Sequence, residues 1–335
     1  LALVTGATGF IGANLVEALA QRGWQVRALH RASSSLKALE GLAYKSAIGD
    51  VTEPASLAAA MQGVDVVFHV AAVADYWRSD PHRLMQVNVE GTRNVLRAAR
   101  EAGVQRVVFT SSCAALGQPA FGQALDERAQ FNLRAEAFPY GYSKHLAEQV
   151  CLDFARAGLD VVIVNPAVVF GPRDVNLMSG SLVVEAARRG LPFAPPGGVS
   201  AIDVADVCAG HIAAAERGRT GERYVLTAEN LTYAQLFALL AEVVGRPRPR
   251  LILPRWVFRL GAPVVGWARS RLGLRLPVSS EQVRFAAETF WFNADKARCE
   301  LGLRPRPVRE AIQRAYDWYV AHGYLAPRAA LRKAA

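Results

Sequence analysis

The sequence predicts an α/β chain: a doubly wound parallel sheet, followed by a smaller, helix-rich C-terminal part. Three observations predict it. Short apolar runs alternate with helix-patterned stretches up to about residue 165. One of those runs, VDVVFHVAA at residues 64–72, is too uniformly apolar for a half-exposed strand and fits one buried between two helical layers. A glycine-spaced turn joins the first apolar run to the first helical stretch.

In chain order, residues 1–4 form the first strand, and Ile11, Leu15 and Leu19 repeat at helical spacing after it. Further strands are expected at 24–30, 43–50, 64–72, 104–112 and 159–171. Helices are expected at 11–22, 54–61, 83–102 and 143–157. The alternation then stops at a loop marked by Pro192, Pro195, Pro196, Gly197 and Gly198. IDVADVCAGHIAAAE starts another helix, GERYVLTAE reads as a strand, and a long helix follows Asn230 or Thr232 as its cap. Residues 251–298 read as mostly helical, and PVREAIQRAYDWYVAHGYL closes the chain as an amphipathic helix. The expected division is a nucleotide-binding unit at 1–170 with further core elements from about 200–228, and a substrate-binding part at 171–198 and 229–335. The active site is expected in the cleft between them, outside the carboxyl ends of the strands.

With 335 residues, 52% of them hydrophobic, the chain can bury a large core. No stretch approaches the run of about 18 apolar residues that a spanning helix needs, so no membrane partner is expected. The net charge of +10 favours phosphorylated ligands. The arginines are scattered apart from GRPRPR and LRPRP, without interleaved aromatics, so nucleic acid is not an expected partner. Cys113, Cys151, Cys208 and Cys299 lie far apart and form no metal-spaced pair. With no basic, apolar leader in view, they fit a reduced, cytoplasmic protein without a metal.

TGATGFIG, residues 5–12, places Gly6, Gly9 and Gly12 between strand and helix. That is the context of a dinucleotide-binding loop: Gly6 for the sharp turn, Gly9 for close approach of a pyrophosphate, Gly12 for close packing of helix on strand. A second constellation lies far along the chain. FPYGYSKHLAEQ puts Tyr140 and Lys144 four apart at a helix start, on one face. A neighbouring ammonium favours phenolate, so Tyr140 can exchange a proton with a substrate hydroxyl while a nicotinamide exchanges hydride with its carbon. Lys144 can also bond the nicotinamide ribose. A third element is VVFTSSCAALG, a buried strand ending in hydroxyls, where Ser112 can hold the substrate oxygen and Ser111 and Thr110 are its rivals.

These elements, in this order, resemble the extended short-chain dehydrogenase/reductases over nearly the whole chain. The resemblance implies a Rossmann-type fold and a catalytic trio of Ser112, Tyr140 and Lys144. It implies dinucleotide contacts from Thr5, Gly6, Thr8, Gly9, Phe10, Ile11 and Gly12 in the loop, Asp50 and Val51 near adenine, and Val70, Ala71 and Ala72 beside the ribose. Asn88 in NVEGT is implied to support the architecture near the cofactor, with Thr110 and Ser111 alongside. Asn165, Pro166 and Val168 in NPAVVFGP are implied to line the nicotinamide pocket. More narrowly, NVEGTRNVLRAAREAGVQRVVFTSS and LGLRPRPVREAI resemble hopanoid-associated sugar epimerases, with dihydroflavonol reductase-like proteins nearby. The family resemblance also implies a homodimer paired through the helices at 83–102 and 143–157.

After the second strand the chain reads Leu29-His30-Arg31-Ala32-Ser33-Ser34-Ser35, with no acid to bond both ribose hydroxyls. Arg31 and the serines suit a 2′-phosphate, which leans toward NADP, with NAD as the alternative. A sugar or nucleotide-sugar epimerase is the expected enzyme, acting on a small-molecule substrate. An NADPH-dependent aldehyde/ketone reductase and a non-catalytic dinucleotide-binding redox sensor are the alternatives. The Asp-Glu pair of sugar dehydratases is replaced by Cys113-Ala114. Tyr76, Trp77, Ser112, Cys113 and Asn165 are the expected substrate contacts. Asn165 stands where nucleotide-sugar enzymes often carry arginine, and Asp203 where they often carry histidine, which weakens a nucleotide-sugar assignment.

Overall fold

The structure is a computed structural model and describes residues 1–74, 80–272 and 280–326. The first half runs β1 (Ala2–Thr5), α1 (Phe10–Gln21), β2 (Val26–His30), β3 (Lys45–Ile48), α2 (Ala58–Met61), β4 (Val66–His69), α3 (Pro81–Leu84), α4 (Gly91–Glu101), β5 (Arg106–Thr110), β6 (Ala124–Leu125), α5 (Pro139–Arg156), β7 (Val161–Pro166) and β8 (Val168–Phe170). The second half runs α6 (Gly180–Arg189), β9 (Phe193–Ala194), β10 (Gly198–Asp203), α7 (Val204–Arg217), β11 (Arg223–Leu226), β12 (Glu229–Thr232), α8 (Tyr233–Val244), β13 (Leu251–Ile252), α9 (Arg255–Leu272), α10 (Ser280–Ala286), β14 (Thr289–Phe292), α11 (Asp295–Glu300) and α12 (Val308–Ala321).

Seven strands form one sheet in the order β11-β7-β5-β4-β1-β2-β3, and every pair in it is parallel. Parallel strands need crossovers, and the crossover helices cover both faces. Leu15 and Leu19 of α1 and Val207 and Ile212 of α7 share one core. Val95, Leu96 and Ala99 of α4 pack with Ala147 and Val150 of α5 in the other. The strand order reverses beside β1, between β2 and β4, which leaves a crevice at the carboxyl ends of β1 and β4.

A second, five-stranded sheet has the path β12-β10-β14-β6, with β8 paired to β10. β9 and β13 form a separate parallel pair. A third core, with Val183 and Ala187 of α6, Leu236 and Leu240 of α8 and Ile312 and Tyr319 of α12, supports this half. Among the described residues no helix is long and apolar enough to cross a membrane.

Six sequence expectations change. Ile202 and Asp203, expected to open a helix, instead end β10, and Asp203 caps α7. The run at 159–171 is two strands in two sheets: Pro166, with no N–H, ends β7, and the chain crosses at Ala167 to pair β8 with β10. GERYVLTAE likewise divides, giving β11 to the large sheet and beginning β12 in the other. The aromatic stretch TFWF within 251–298 is strand β14, as its pleat-filling side chains favour. The stretch at 54–61 is two short turns rather than one helix. That at 83–102 is α3, a π-helical turn over Met85–Glu90, and α4. Such wide turns often occur at functional sites, and this one carries Asn88. Of the two cap candidates, Thr232 caps α8, in a reciprocal capping box with Gln235.

Candidate active site

The three glycines have three different reasons to be glycine. Gly6 has φ +64°, and a Cβ there would lie 2.6 Å from the Ala71 Cα. A Cβ on Gly12 would lie 2.2 Å from the Gly6 carbonyl oxygen and 2.9 Å from the Ala7 Cα, so this glycine seats the helix start on the turn itself. Gly9 has an ordinary φ of −85°, and its Cβ would meet only the Gly6 oxygen, at 3.2 Å. The backbone does not demand glycine at position 9 and packing presses on it only through that one tight contact, so the cavity in front of it is the further reason for glycine there. The first intrahelical bond of α1 runs from the Ala13 N–H to the Gly9 carbonyl, so the N–H groups of the first turn remain available, with no acid in that turn.

A chain of neutral hydrogen bonds ties this loop to the Tyr140 helix. The Ala71 N–H donates to Thr5 Oγ1 (3.1 Å), and Thr5 Oγ1 lies 2.8 Å from His69 Nδ1. His69 Nε2 lies 3.0 Å from Thr92 Oγ1, whose own hydrogen goes to the Asn88 carbonyl. This polarity assigns the hydrogen to Nε2, with Thr5 donating to Nδ1. Burial, with Lys144 nearby, lowers the His69 pKa to about 3, so the ring stays neutral. Asn88 holds both backbone groups of Val73 (2.8 and 3.0 Å) and donates to Ser143 Oγ, which donates to the Tyr140 carbonyl.

A second buried network fixes the hydroxyl-rich strand end. Glu148, one turn beyond Lys144 on α5, is fully buried and accepts from Ser111 Oγ (2.5 Å) and Asn165 Nδ2 (2.6 Å). Arg223 on β11 supplies its counter-charge at 3.2 Å. Asn165 also donates to the Ser112 carbonyl, and the Cys113 thiol donates to the Asn165 carbonyl. Thr110 is engaged as well: its hydroxyl meets His211 Nε2 at 2.8 Å and its carbonyl accepts from Lys144 Nζ at 2.8 Å. The three rivals separate here. Thr110 and Ser111 are committed to buried partners, while Ser112 Oγ accepts from the Ala114 N–H and keeps its own hydrogen for the cavity. Lys144 is buried over the Phe109 ring, and burial lowers its pKa from 10.5 to about 8.

The cavity at the crevice has a volume of ≈ 1170 Å³, more than one small molecule fills. Its wall includes Gly6, Thr8, Gly9, Phe10, Ile11, Gly12, Arg31, Asp50, Val51, Val70, Ala71, Ala72, Ser111, Ser112, Cys113, Tyr140, Pro166 and Val168. Thr5, Asn88, Thr110, Lys144 and Asn165 stand behind it. The side chains of Thr5, Asn88 and Thr110, expected at the cofactor, are engaged within the two networks and brace the wall from behind. Asn165, expected at both cofactor and substrate, turns its fully buried side chain to Glu148. Tyr76 and Trp77 lie outside the described residues. Sequence reasoning missed Phe138, Met178, Leu182, Tyr233, Phe285, Phe290 and Phe292 on the wall, because no local pattern marks an apolar side chain as cavity-facing rather than core. The rings of Phe138, Phe285 and Phe290 run in series 5.1 and 5.2 Å apart. Among the described residues no three His, Cys, Asp or Glu cluster as metal ligands.

The residues present fit a dinucleotide: an open Gly9, unclaimed N–H groups at the start of α1, and Arg31, which forms no ion pair among the described residues. Comparison with known proteins agrees. The model of the NAD dependent epimerase/dehydratase family matches residues 2–227. A Synechocystis protein provisionally named dihydroflavonol 4-reductase is 39% identical over 327 residues, 96% of this chain and 95% of its own. Sterol demethylase protein B of Methylococcus capsulatus is 36% identical over 329 residues, 96% and 99% of the two chains. Among solved structures, gox2253 matches with TM-score 0.86 at 37% identity, covering 97% of this chain and 99% of that one. A nucleoside-diphosphate-sugar epimerase from Pseudomonas aeruginosa matches with TM-score 0.80 at 26% identity, covering 97% and 98%. The chain belongs to the NAD dependent epimerase/dehydratase family and is an NAD(P)-dependent enzyme of that type.

Proposed function

We propose that this family member interconverts a secondary alcohol and its ketone on a predominantly apolar substrate, with NADP as its dinucleotide. One observation carries the reading. From Pro166 to Phe292 the cavity wall holds no charged side chain among the described residues; it is built from Val168, Met178, Leu182, Val199, Tyr233, Phe285, Phe290 and Phe292, with a few neutral polar groups. A nucleotide sugar brings two phosphates that call for guanidinium or ammonium partners on that side. The names of the Synechocystis and Methylococcus relatives refer, for those proteins, to reduction of a dihydroflavonol and to a sterol, both largely apolar ring systems. Arg31 and Ser34 at the end of β2, with no acid beside them at that strand end, support NADP.

A dinucleotide held on the glycine loop supplies hydride exchange at the carbinol carbon. The Tyr140 hydroxyl gives a proton to the substrate oxygen in reduction and takes it back in oxidation. A phenol ordinarily holds its proton up to about pH 10, too tightly for this task. Lys144, one turn along the same helix face, keeps most of its charge at neutral pH and favours the phenolate. Ser112 directs its remaining hydrogen at the same oxygen and so orients it for Tyr140.

The test is consumption of NADPH with a panel of flavonoid, steroid and aryl ketones set beside UDP-glucose. Turnover on the apolar ketones is expected, falling about 100-fold or more in Tyr140→Phe with cofactor affinity unchanged. Arg31→Asp should shift preference from NADPH toward NADH at least about tenfold. Idle ketones together with stoichiometric NAD retained through purification would overturn the reading. They would favour the second one, a sugar or nucleotide-sugar epimerase, which the likeness to the Pseudomonas epimerase supports. Pairing of two copies through α4 and α5 belongs to the same proposal and is read from sedimentation equilibrium.

A further inference from the structure

Helix α9 is built inside out. Trp256, Leu260, Val264 and Trp267 follow one another at helical spacing and are 63%, 65%, 62% and 57% exposed. The small residues face inward: Ala262 is buried, and a Cβ on Gly261 would touch the Val283 side chain of α10 at 4.0 Å. Just before the helix, Leu251 and Ile252 of β13 are exposed, beside Phe193 of β9. Scattered apolar residues on a surface need no explanation, but a contiguous stripe with tryptophan toward each end does.

The charge of the same segment names the occupant. Residues 245–272 contain seven arginines and no aspartate, glutamate or lysine, against a net charge of +10 for the whole chain. Arg250, Arg259 and Arg271 are exposed and form no ion pair among the described residues. Arg248 and Arg255 are neutralised by Glu242 and Glu288, but a second copy of this chain would still set Arg250, Arg259 and Arg271 against their own copies, because a two-fold contact sets a patch against itself. An anionic lipid surface answers both features at once, with tryptophan and leucine at the headgroup boundary and arginine on the phosphates.

We propose that α9 and the β9–β13 pair form a docking face for an anionic membrane surface. The absence of a spanning run, on which the expectation of no membrane partner rested, does not bear on a helix that lies in the interface. The face stands one helix away from the cavity, since α10 packs on α9 and contributes Gln282, Phe285 and Ala286 to its wall. Apolar substrates held in a bilayer would thus reach the site from the docked side, a consequence that rests on the proposed substrate class, whereas the docking itself does not.

The experiment is flotation of the full chain with vesicles of equimolar phosphatidylglycerol and phosphatidylcholine, beside vesicles of phosphatidylcholine alone. Recovery is expected to be at least about tenfold higher on the anionic vesicles at low salt and to fall steeply toward about 0.5 M salt. Leu260→Glu and Trp256→Ser should abolish it while leaving NADPH binding and Tm at parental values, which shows that the fold is kept. Equal recovery on both vesicles, none on the anionic ones, or undiminished flotation of Leu260→Glu would each overturn the proposal. So would a parental dimer that Leu260→Glu splits without any vesicle recovery. Flotation needs no turnover, so its failure is separate from failure of the catalytic reading.

Discussion

Replacing Gly9 and Gly6 by alanine, one at a time, should separate a ligand requirement from a folding requirement. At Gly9 the backbone already has φ −85°, and the new methyl meets nothing closer than the Gly6 oxygen at 3.2 Å. Loss of chain entropy in the unfolded state favours alanine by about 0.4–1 kcal/mol, and the tight contact offsets part of that. Gly9→Ala should therefore fold with a stability within about 1 kcal/mol of the parent. The methyl nevertheless occupies the wall at the mouth of α1, where phosphate must approach the free N–H groups. Dinucleotide affinity should fall at least about tenfold, equivalent to about 1.4 kcal/mol. Gly6→Ala differs on both counts. Its φ of +64° costs alanine about 1 kcal/mol, and a Cβ 2.6 Å from the Ala71 main chain forces a backbone shift costing about 1–3 kcal/mol more. Urea unfolding measures the first quantity and quenching of intrinsic fluorescence by NADPH the second. A Gly9→Ala protein that binds NADPH like the parent would refute the assignment of the loop. So would one as destabilised as Gly6→Ala.

Three further outcomes follow from the buried groups. Lys144 has its pKa lowered by burial from 10.5 to about 8, so between those values the unfolded chain binds a proton that the folded one does not, and stability rises with pH. At neutral pH the buried charge therefore costs about 3 kcal/mol, and Lys144→Met should unfold at equal or higher urea concentration while losing turnover. A clearly less stable Lys144→Met would contradict this. His69 and His211, buried with values of about 3 and about 4, work in the acid range. The unfolded chain takes up their protons below about pH 6.5, so stability should fall by up to about 1.4 kcal/mol per pH unit for each histidine as pH drops toward 4. His211→Gln should flatten that slope in urea titrations, and an unchanged slope would remove His211 from the account. Finally, Ser111→Ala withdraws a donor from buried Glu148 and should cost about 1–3 kcal/mol of stability. Ser112→Ala should leave stability near parental and lower kcat. A reversal of the two effects would exchange their roles.

What the sequence disclosed, it disclosed through local pattern. The strand–glycine turn–helix order and the Tyr140–Lys144 spacing are short-range features, and the structure places Gly6, Gly9, Gly12, Ser112 and Tyr140 on one cavity wall. What stayed hidden depends on partners distant in sequence. Glu148 reads as an ordinary helix-surface acid until Ser111, Asn165 and Arg223, 37, 17 and 75 residues away, close around it. Asn88 reads as a polar residue in a helix until a wide turn aims it at Val73 and Ser143. The split of residues 159–171 between two sheets was invisible because both strands are apolar and periodicity carries no information about which neighbour a strand joins. Helix α9 shows the opposite limit. Residues 251–298 read as mostly helical and α9 lies within them, but the rule that large apolar side chains face inward fails for Trp256, Leu260 and Val264. The side of α9 turned inward carries Gly261, buried Ala262 and the half-buried Val257, Phe258 and Val265, while Trp256, Leu260 and Val264 stand on the outside. A local rule that breaks over a run of strongly exposed apolar side chains points to a compensation outside the chain. The exposed Arg250, Arg259 and Arg271 on the same segment call for a negative charge there.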